Sequence, residues 1–144
     1  MSKEPLIEQE LKNLQKELGV LSLVIAKRDR APLDDIEVRG AALSLASLYN
    51  GIERILKQIL SHSKEAFGKS ANWHAELLQK SNALGAISDR TLQDLKGFLG
   101  FRHFVRHAYS FEIDPKAIDA ILKAAPELVK HFIQEVEVFV GHPG

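Results

Sequence analysis

The sequence contains no cysteine, and this absence excludes three kinds of chemistry. Without a thiol the chain cannot form a disulfide, use a cysteine nucleophile or bind a metal through sulfur. Neither basic nor acidic residues are in excess, since 19 basic residues balance 19 acidic ones. Any binding of nucleic acid must therefore come from a local cationic patch and not from the charge of the whole chain.

Long apolar runs are also missing from the sequence. No run approaches the roughly 20 residues that a membrane-spanning helix needs. The first residues lack the basic-then-apolar layout of a signal peptide, so we expect a cytoplasmic protein. The 144 residues, 45% of them hydrophobic, are enough for one globular domain over 1–144 with a single core.

Apolar residues recur at three- and four-residue spacing almost everywhere, which is typical of amphipathic helices. The pattern predicts helices over 6–27, 36–62, 72–84, 89–109 and 115–140, with Pro126 kinking or splitting the last one. No sustained alternation of apolar and polar residues predicts a strand. The predicted fold class is all-α, an up-and-down bundle of four long helices plus a short one.

The second predicted helix is apolar over more than half of its circumference, so we expect it at the centre of the bundle. Its interior contains Gly40 and Gly51, each of which costs roughly 1 kcal/mol relative to alanine. We interpret both glycines as places where another helix approaches closely.

The segment FRHFVRHAY, residues 101–109, concentrates polar groups that can act on a phosphate. Projected at about 100° per residue, its polar side chains fill one arc of roughly 160°; they are Arg102, His103, Arg106, His107 and Tyr109. No acidic residue lies between Lys96 and Ser110 to neutralise them. The apolar residues of this region should face the core; they are Phe98, Phe101, Phe104, Val105 and Ala108.

Leu92, Leu95 and Leu99 lie beneath the polar arc on the same helical projection. The first half of this helix is therefore apolar all round and should be covered on both sides. The second cover is either a second subunit, which would place the polar arc beside a dimer interface, or another helix of the same chain.

Histidine and arginine together suit the cleavage of RNA. Histidine exchanges a proton near neutral pH, and arginine binds phosphate and stabilises charge that develops on it. RNA supplies its own nucleophile, the 2′-hydroxyl, so no thiol, carboxylate or metal is required. On spacing alone, a solvated Arg/His surface remains the simpler interpretation.

The run Arg102–four residues–His107–one residue–Tyr109 resembles the R-X4-H-X-Y signature of HepT-like proteins, which belong to the HEPN superfamily of all-helical ribonucleases. The segments LYNGIERILKQI (48–59), NWHAELL (72–78) and RTLQDLKGFLGFRHFVRHAY (90–109) are also similar to that family. The resemblance thus covers most of the chain.

The resemblance implies a homodimeric toxin of a type VII-like toxin–antitoxin module. Such a toxin cleaves RNA, tRNA among its targets, without a metal or another cofactor, in a cleft between two subunits. Its partner is a minimal nucleotidyltransferase antitoxin, which silences it by attaching AMP to the motif tyrosine. Carried over by position, Arg102 and His107 are the catalytic pair, His103 is an auxiliary site residue and Tyr109 is the modified residue. Arg106 is assigned to RNA phosphate binding.

Two alternatives to a ribonuclease stay open. One is a non-catalytic dimeric adaptor that binds nucleotide or a nucleotidyltransferase, and the other is a plain dimerising bundle whose polar arc is only solvated. We also expect Glu53 to form a structural ion pair with Arg54 or Arg102. Trp73 should pack, and His74 should lie at the surface.

Overall fold

The computed structural model describes residues 5–63, 72–107 and 115–141. These residues form five helices and, within the described ranges, no strand: α1 (Pro5–Arg30), α2 (Asp35–Ser63), α3 (Trp73–Leu84), α4 (Asp89–His107) and α5 (Pro115–Gly141). The all-α prediction of four long helices and a short one is confirmed. Pro126 lies inside α5, which continues past it as one helix and is not split.

The turn between α1 and α2 is fixed by reciprocal hydrogen bonds at the start of α2. The Glu37 backbone N–H donates to Asp34 Oδ1 at 2.8 Å, and the Asp34 backbone N–H donates to Glu37 Oε1 at 3.0 Å. This pattern is a capping box with aspartate as the N-cap, and it satisfies two N–H groups that the helix itself leaves unbonded. The turn sets α2 antiparallel to α1.

Gly51 lets α1 and α2 approach closely. A Cβ atom at this position would lie 2.9 Å from Leu14 Cδ2, too near for an ordinary contact. The prediction of a close helix approach is confirmed here. Among the described residues it is wrong for Gly40, which is exposed and where a Cβ atom would have no described neighbour within 4 Å.

Two polar contacts give the directions of the long helices. Arg28 near the end of α1 bonds Asp119 near the start of α5, while Ser88 just before α4 bonds Glu135 near the end of α5. The start of α4 therefore lies at the end of α5, and α4 runs back toward the α1–α2 turn. The last turns of α4 thus lie at the same end of the bundle as that turn, which we call the motif end.

The short helix α3 is terminated and joined to α4 by local backbone chemistry. Gly85 takes the left-handed conformation with φ of 94°, which ends α3 at Leu84, the predicted boundary. Ser88 caps α4, because its Oγ accepts from the Thr91 N–H at 3.2 Å. Glu135 of α5 accepts from the Ser88 N–H, the Ser88 hydroxyl and the Thr91 hydroxyl, each at 2.9 Å, and so ties α4 to α5.

The core is formed by apolar residues of all five helices, and α2 contributes the largest share, as its pattern predicted. Leu43 is an exception, because it belongs to the apolar pattern of α2 but is 72% exposed. In the part of the chain that the structure describes, no helix is long and apolar enough to cross a membrane.

Candidate functional site

The last turns of α4 rest on a buried apolar base. Leu95, Phe98 and Phe101 are buried, and the Phe98 ring packs against the Tyr49 ring of α2 at 5.5 Å between centroids. The prediction that Phe98 and Phe101 face the core is confirmed. This base holds the end of α4 against α2 and positions the residues that follow.

The leucines before the motif are covered by the chain itself. Leu92 and Leu95 are both buried within this one chain, and Leu99 is partly buried against the core. Of the two covers that the sequence left open, the cover within the same chain is therefore correct for Leu92 and Leu95. These residues give no reason to place a second subunit over α4.

The candidate residues Arg102, His103, Arg106 and His107 occupy the last two turns of α4, whose helical backbone is continuous to His107. Their side chains lie outside the described residues, as does Tyr109 altogether. The spacing of about 100° per residue with which the motif was projected therefore applies to its first six positions, Arg102 to His107. In that phase Arg102 and Arg106 are one turn apart, as are His103 and His107.

At the motif end, basic side chains of α1 are paired with carboxylates. Arg28 donates from Nε to Asp119 Oδ1 at 2.5 Å and from Nη2 to Asp119 Oδ2, a two-pronged contact. This hydrogen bonding raises the pKa of Arg28 and lowers the pKa of Asp119. Lys27 is bonded to Glu37, which raises the pKa of Lys27 and lowers the pKa of Glu37.

These pairs have a consequence for substrate binding. The carboxylates offset the positive charges of Arg28 and Lys27, so these two side chains attract an RNA phosphate less strongly than unpaired cations would. A cavity of about 450 Å³ adjoins the Arg28–Asp119 pair and is also lined by Arg30, Leu33 and Lys116.

A second polar cluster joins α2 to α3, and the contact that His74 makes in it was not predicted from the sequence. Glu53 is buried, and its Oε2 lies 2.5 Å from His74 Nδ1. The His74 ring stacks on the Trp73 ring at 3.7 Å between centroids, and Lys57 Nζ lies 4.3 Å from the centre of the Trp73 ring. In the sequence, Glu53 lies within an apolar face of a helix, and a carboxylate at such a position indicates a buried partner.

One of the two expected partners of Glu53 is wrong. The described contact of Glu53 is a hydrogen bond with His74, whereas Arg54 bonds Glu10 at 2.8 Å. The side chain of the other expected partner, Arg102, lies outside the described residues. His74 is correspondingly half-buried and not a surface residue, whereas Trp73 packs against the core as predicted.

The Glu53–His74 pair lies away from the motif along the bundle. Tyr49 is level with Phe98, and α2 and α4 run in opposite directions. Glu53 is one turn from Tyr49 toward the start of α4, whereas Arg102 is one turn from Phe98 toward its end. The two backbone positions are therefore separated by about 12 Å along the bundle axis, and we assign the pair to anchoring α3.

Comparison with known protein families shows which family the chain belongs to. A family model described as HepT-like protein matches residues 40–142, more than two thirds of the sequence. The chain belongs to the HepT-like family. The matched region begins inside α2 and includes all five candidate residues of the motif. No curated protein sequence matches the chain.

Membership in the HepT-like family confirms the resemblance and agrees with the five-helix architecture of a HEPN-type bundle. The activity, the roles of the motif residues, the antitoxin and the dimer stay predictions. Among the described residues, no group of three His, Asp or Glu side chains is placed to hold a metal ion.

Proposed function

We propose that this HepT-like chain is the toxin of a toxin–antitoxin pair and acts as a metal-independent endoribonuclease on tRNA or another RNA. The R-X4-H-X-Y run, whose first six residues form the last turns of α4, carries this proposal. The continuous helical backbone through His107 supports it, since a regular helix keeps Arg102 and His107 on a common polar arc.

The proposed reaction uses the substrate's own nucleophile. The 2′-hydroxyl of RNA attacks the adjacent phosphorus while a histidine takes its proton, and the bond from phosphorus to the 5′-oxygen breaks. The leaving 5′-oxygen takes a proton from the solvent, and the other product carries a 2′,3′-cyclic phosphate. Positioned acid–base groups of this kind contribute about 100- to 10,000-fold in rate.

The motif residues divide this work between them. Arg102 donates to the phosphoryl oxygens as negative charge builds on them, and His107 transfers the proton. His103 lies next to the pair as an auxiliary group, and Arg106 binds a neighbouring phosphate. In the proposed homodimer the two motifs meet in one composite site.

Modification of Tyr109 is the proposed control. The nucleotidyltransferase partner transfers AMP from ATP to the tyrosine oxygen, and pyrophosphate leaves. On a continued helix, Tyr109 falls within about 20° of the azimuth of Arg102, nearly two turns along. The attached phosphate and adenine would then occupy the cationic arc and exclude RNA.

The test of this proposal is growth after expression of the chain alone. The parent chain should arrest growth, and Arg102→Ala and His107→Ala should each abolish the arrest. His131→Ala on α5 serves as a matched control and should remain toxic. Arrest by the parent should disappear when the nucleotidyltransferase is co-expressed, whereas Tyr109→Phe should escape this protection. Equal toxicity of parent and His107→Ala would contradict the ribonuclease and favour an adaptor.

A further inference from the structure

A cavity lies at the motif end, between the end of α1, the turn that follows it and the start of α5. Its volume is about 450 Å³, within the roughly 300–1,000 Å³ of pockets that hold small molecules. One wall is apolar, because the buried Val38 and Ile118 and the half-buried Leu33 line it. We call this pocket the motif-end cavity.

The charged side chains of the motif-end cavity differ in how they are bonded. The lining carries a net charge of +1, from Arg28, Arg30 and Lys116 against Asp29 and Asp119. Arg28 is held by Asp119 through two hydrogen bonds, so its charge is largely offset. Arg30 is exposed at the end of α1, and in the part of the chain that the structure describes no carboxylate forms an ion pair with it. Arg30 can therefore donate to an added anion without giving up a partner.

The pairing of Arg28 suits that side chain to a different contact. Two hydrogen bonds to one carboxylate hold a guanidinium group in a fixed plane. Nucleobases stack on such planes in RNA-binding proteins, as they do on aromatic rings. Arg28, whose charge is offset, is thus suited to contact a base, and the apolar wall of the cavity extends the surface available to that base.

We propose that the motif-end cavity is a second RNA subsite, which holds one nucleotide a few positions away from the scissile bond. The base lies against the Arg28 guanidinium and the apolar wall, and Arg30 donates to the phosphate of the same nucleotide. That this nucleotide belongs to the cleaved substrate rests on the proposed function, whereas nucleotide binding by the cavity does not.

The cavity and the motif lie at the same height in the bundle. Tyr49 is level with Phe98, and α2 and α4 run in opposite directions. Val38 is eleven residues from Tyr49 toward the motif end, and position 107 is nine residues from Phe98 in the same direction. The two backbone positions are therefore level to within about 3 Å.

Across the bundle, one helix separates the cavity from the motif. Helix α5 contacts both α1 and α4, whereas α1 and α4 do not touch within the described ranges. Because packed helices lie about 8–10 Å apart, the cavity is on the order of 10–20 Å from the end of α4. One RNA strand can therefore reach both places, with a few nucleotides between them.

Binding of a short single-stranded 2′-O-methyl RNA tests the subsite in the parent chain. This RNA keeps its phosphates and bases but has no free 2′-hydroxyl, so the proposed reaction cannot cleave it. Arg30→Ala should weaken binding by about three- to tenfold. The slope of log affinity against log salt concentration should become shallower by about 0.7, since one phosphate contact on a single strand is lost.

Arg90→Ala is the matched control for Arg30→Ala. Arg90 is an exposed arginine in the first turn of α4, at the opposite end of the bundle. Both variants remove one exposed positive charge, so both should fold, and Arg90→Ala should keep the affinity and the salt slope of the parent.

Arg28→Lys tests the base contact separately from the phosphate contact. Lysine keeps the positive charge but has no planar group. Affinity should therefore fall by about threefold or more, while the salt slope stays that of the parent. In an assay of RNA cleavage, Arg30→Ala should raise KM more than it lowers kcat, because the subsite does not touch the reacting atoms.

The proposal is overturned if Arg30→Ala and Arg90→Ala give the same salt slope, or if the parent does not bind the RNA. Failure of the subsite is distinguishable from failure of the ribonuclease. A parent that binds with an Arg30-dependent slope but cleaves no RNA would contradict the ribonuclease and support the subsite. A parent that cleaves RNA but binds it with a slope independent of Arg30 would contradict the subsite alone.

Discussion

Removing His74 is expected to destabilise the fold strongly, because it leaves the carboxylate of Glu53 without its partner. The Glu53 side chain is only 5% exposed, and His74 Nδ1 lies 2.5 Å from its Oε2. Leaving a buried hydrogen-bonding group without its partner costs about 1–3 kcal/mol, and more when the group is charged. The stacking of His74 on Trp73 adds about 0.5–1.5 kcal/mol.

The midpoint of thermal unfolding should therefore fall by about 5 °C or more in His74→Ala, at about 3 °C per kcal/mol for a chain of this size. His131→Ala provides a matched control. His131 also faces a glutamate, Glu127, but at 3.6 Å and with the carboxylate 74% exposed. An exposed pair one turn apart contributes at most about 0.5 kcal/mol, so this variant should unfold close to the parent.

A double variant separates the contribution of the Glu53–His74 contact to stability from the contribution of side-chain packing. Glu53→Leu combined with His74→Leu removes both polar partners and should recover much of the loss, since apolar replacement of a buried pair is often neutral. If His74→Ala costs less than about 1 kcal/mol, or no more than His131→Ala, the assignment of Glu53–His74 as the anchor of α3 is wrong.

Three further changes probe how the bundle is held together. Glu135→Ala removes the acceptor of three hydrogen bonds at the start of α4 and should cost about 2 kcal/mol in urea unfolding, whereas exposed Glu137→Ala should be neutral. Gly51→Ala should be about 1–3 kcal/mol less stable than Gly19→Ala, because both gain helix propensity but only the former meets Leu14 at 2.9 Å. Equal unfolding midpoints would exclude that clash. The pKa of Asp119 is lowered by its hydrogen bonds to Arg28, so its contribution is present above the ordinary aspartate pKa and is lost as pH falls through the lowered value. The unfolding temperatures of parent and Asp119→Asn should therefore differ at pH 7 and begin to converge only as pH falls below the ordinary aspartate pKa of about 4.

Much of the fold could be predicted because its determinants are local in the sequence. The Ser88 cap, the left-handed Gly85 and the first-turn Pro115 each fix a helix end by backbone chemistry that is visible in a few residues. The three- and four-residue spacing of apolar residues predicted the helices themselves, since each long helix buries one face.

The predictions that failed all concern partners distant in sequence. Leu43 and Gly40 follow the apolar and small-residue pattern of α2, but periodicity does not show which side of a helix has a neighbour. Glu53 was correctly expected to be paired, yet its partner His74 comes from another helix. The partner depends on how α3 crosses α2, which no local pattern specifies.

In the candidate site, too, features set within one helix could be predicted, whereas contacts between helices could not. The helical phase of the motif and its apolar base of Phe98 and Phe101 could be predicted from α4 alone. The cover over Leu92 and Leu95 could not, because a helix that is apolar all round is compatible with a neighbour from the same chain or from another one.

The proposed activity is tested most directly by RNA cleavage with purified, unmodified protein. The parent and His107→Ala are compared on total tRNA with EDTA present. The parent should cleave despite the chelator, and His107→Ala should be at least about 100-fold slower, the lower limit for loss of a positioned acid–base group. Folded and unmodified parent protein that leaves tRNA and other RNA intact would contradict the account, as would cleavage that His107→Ala retains in full.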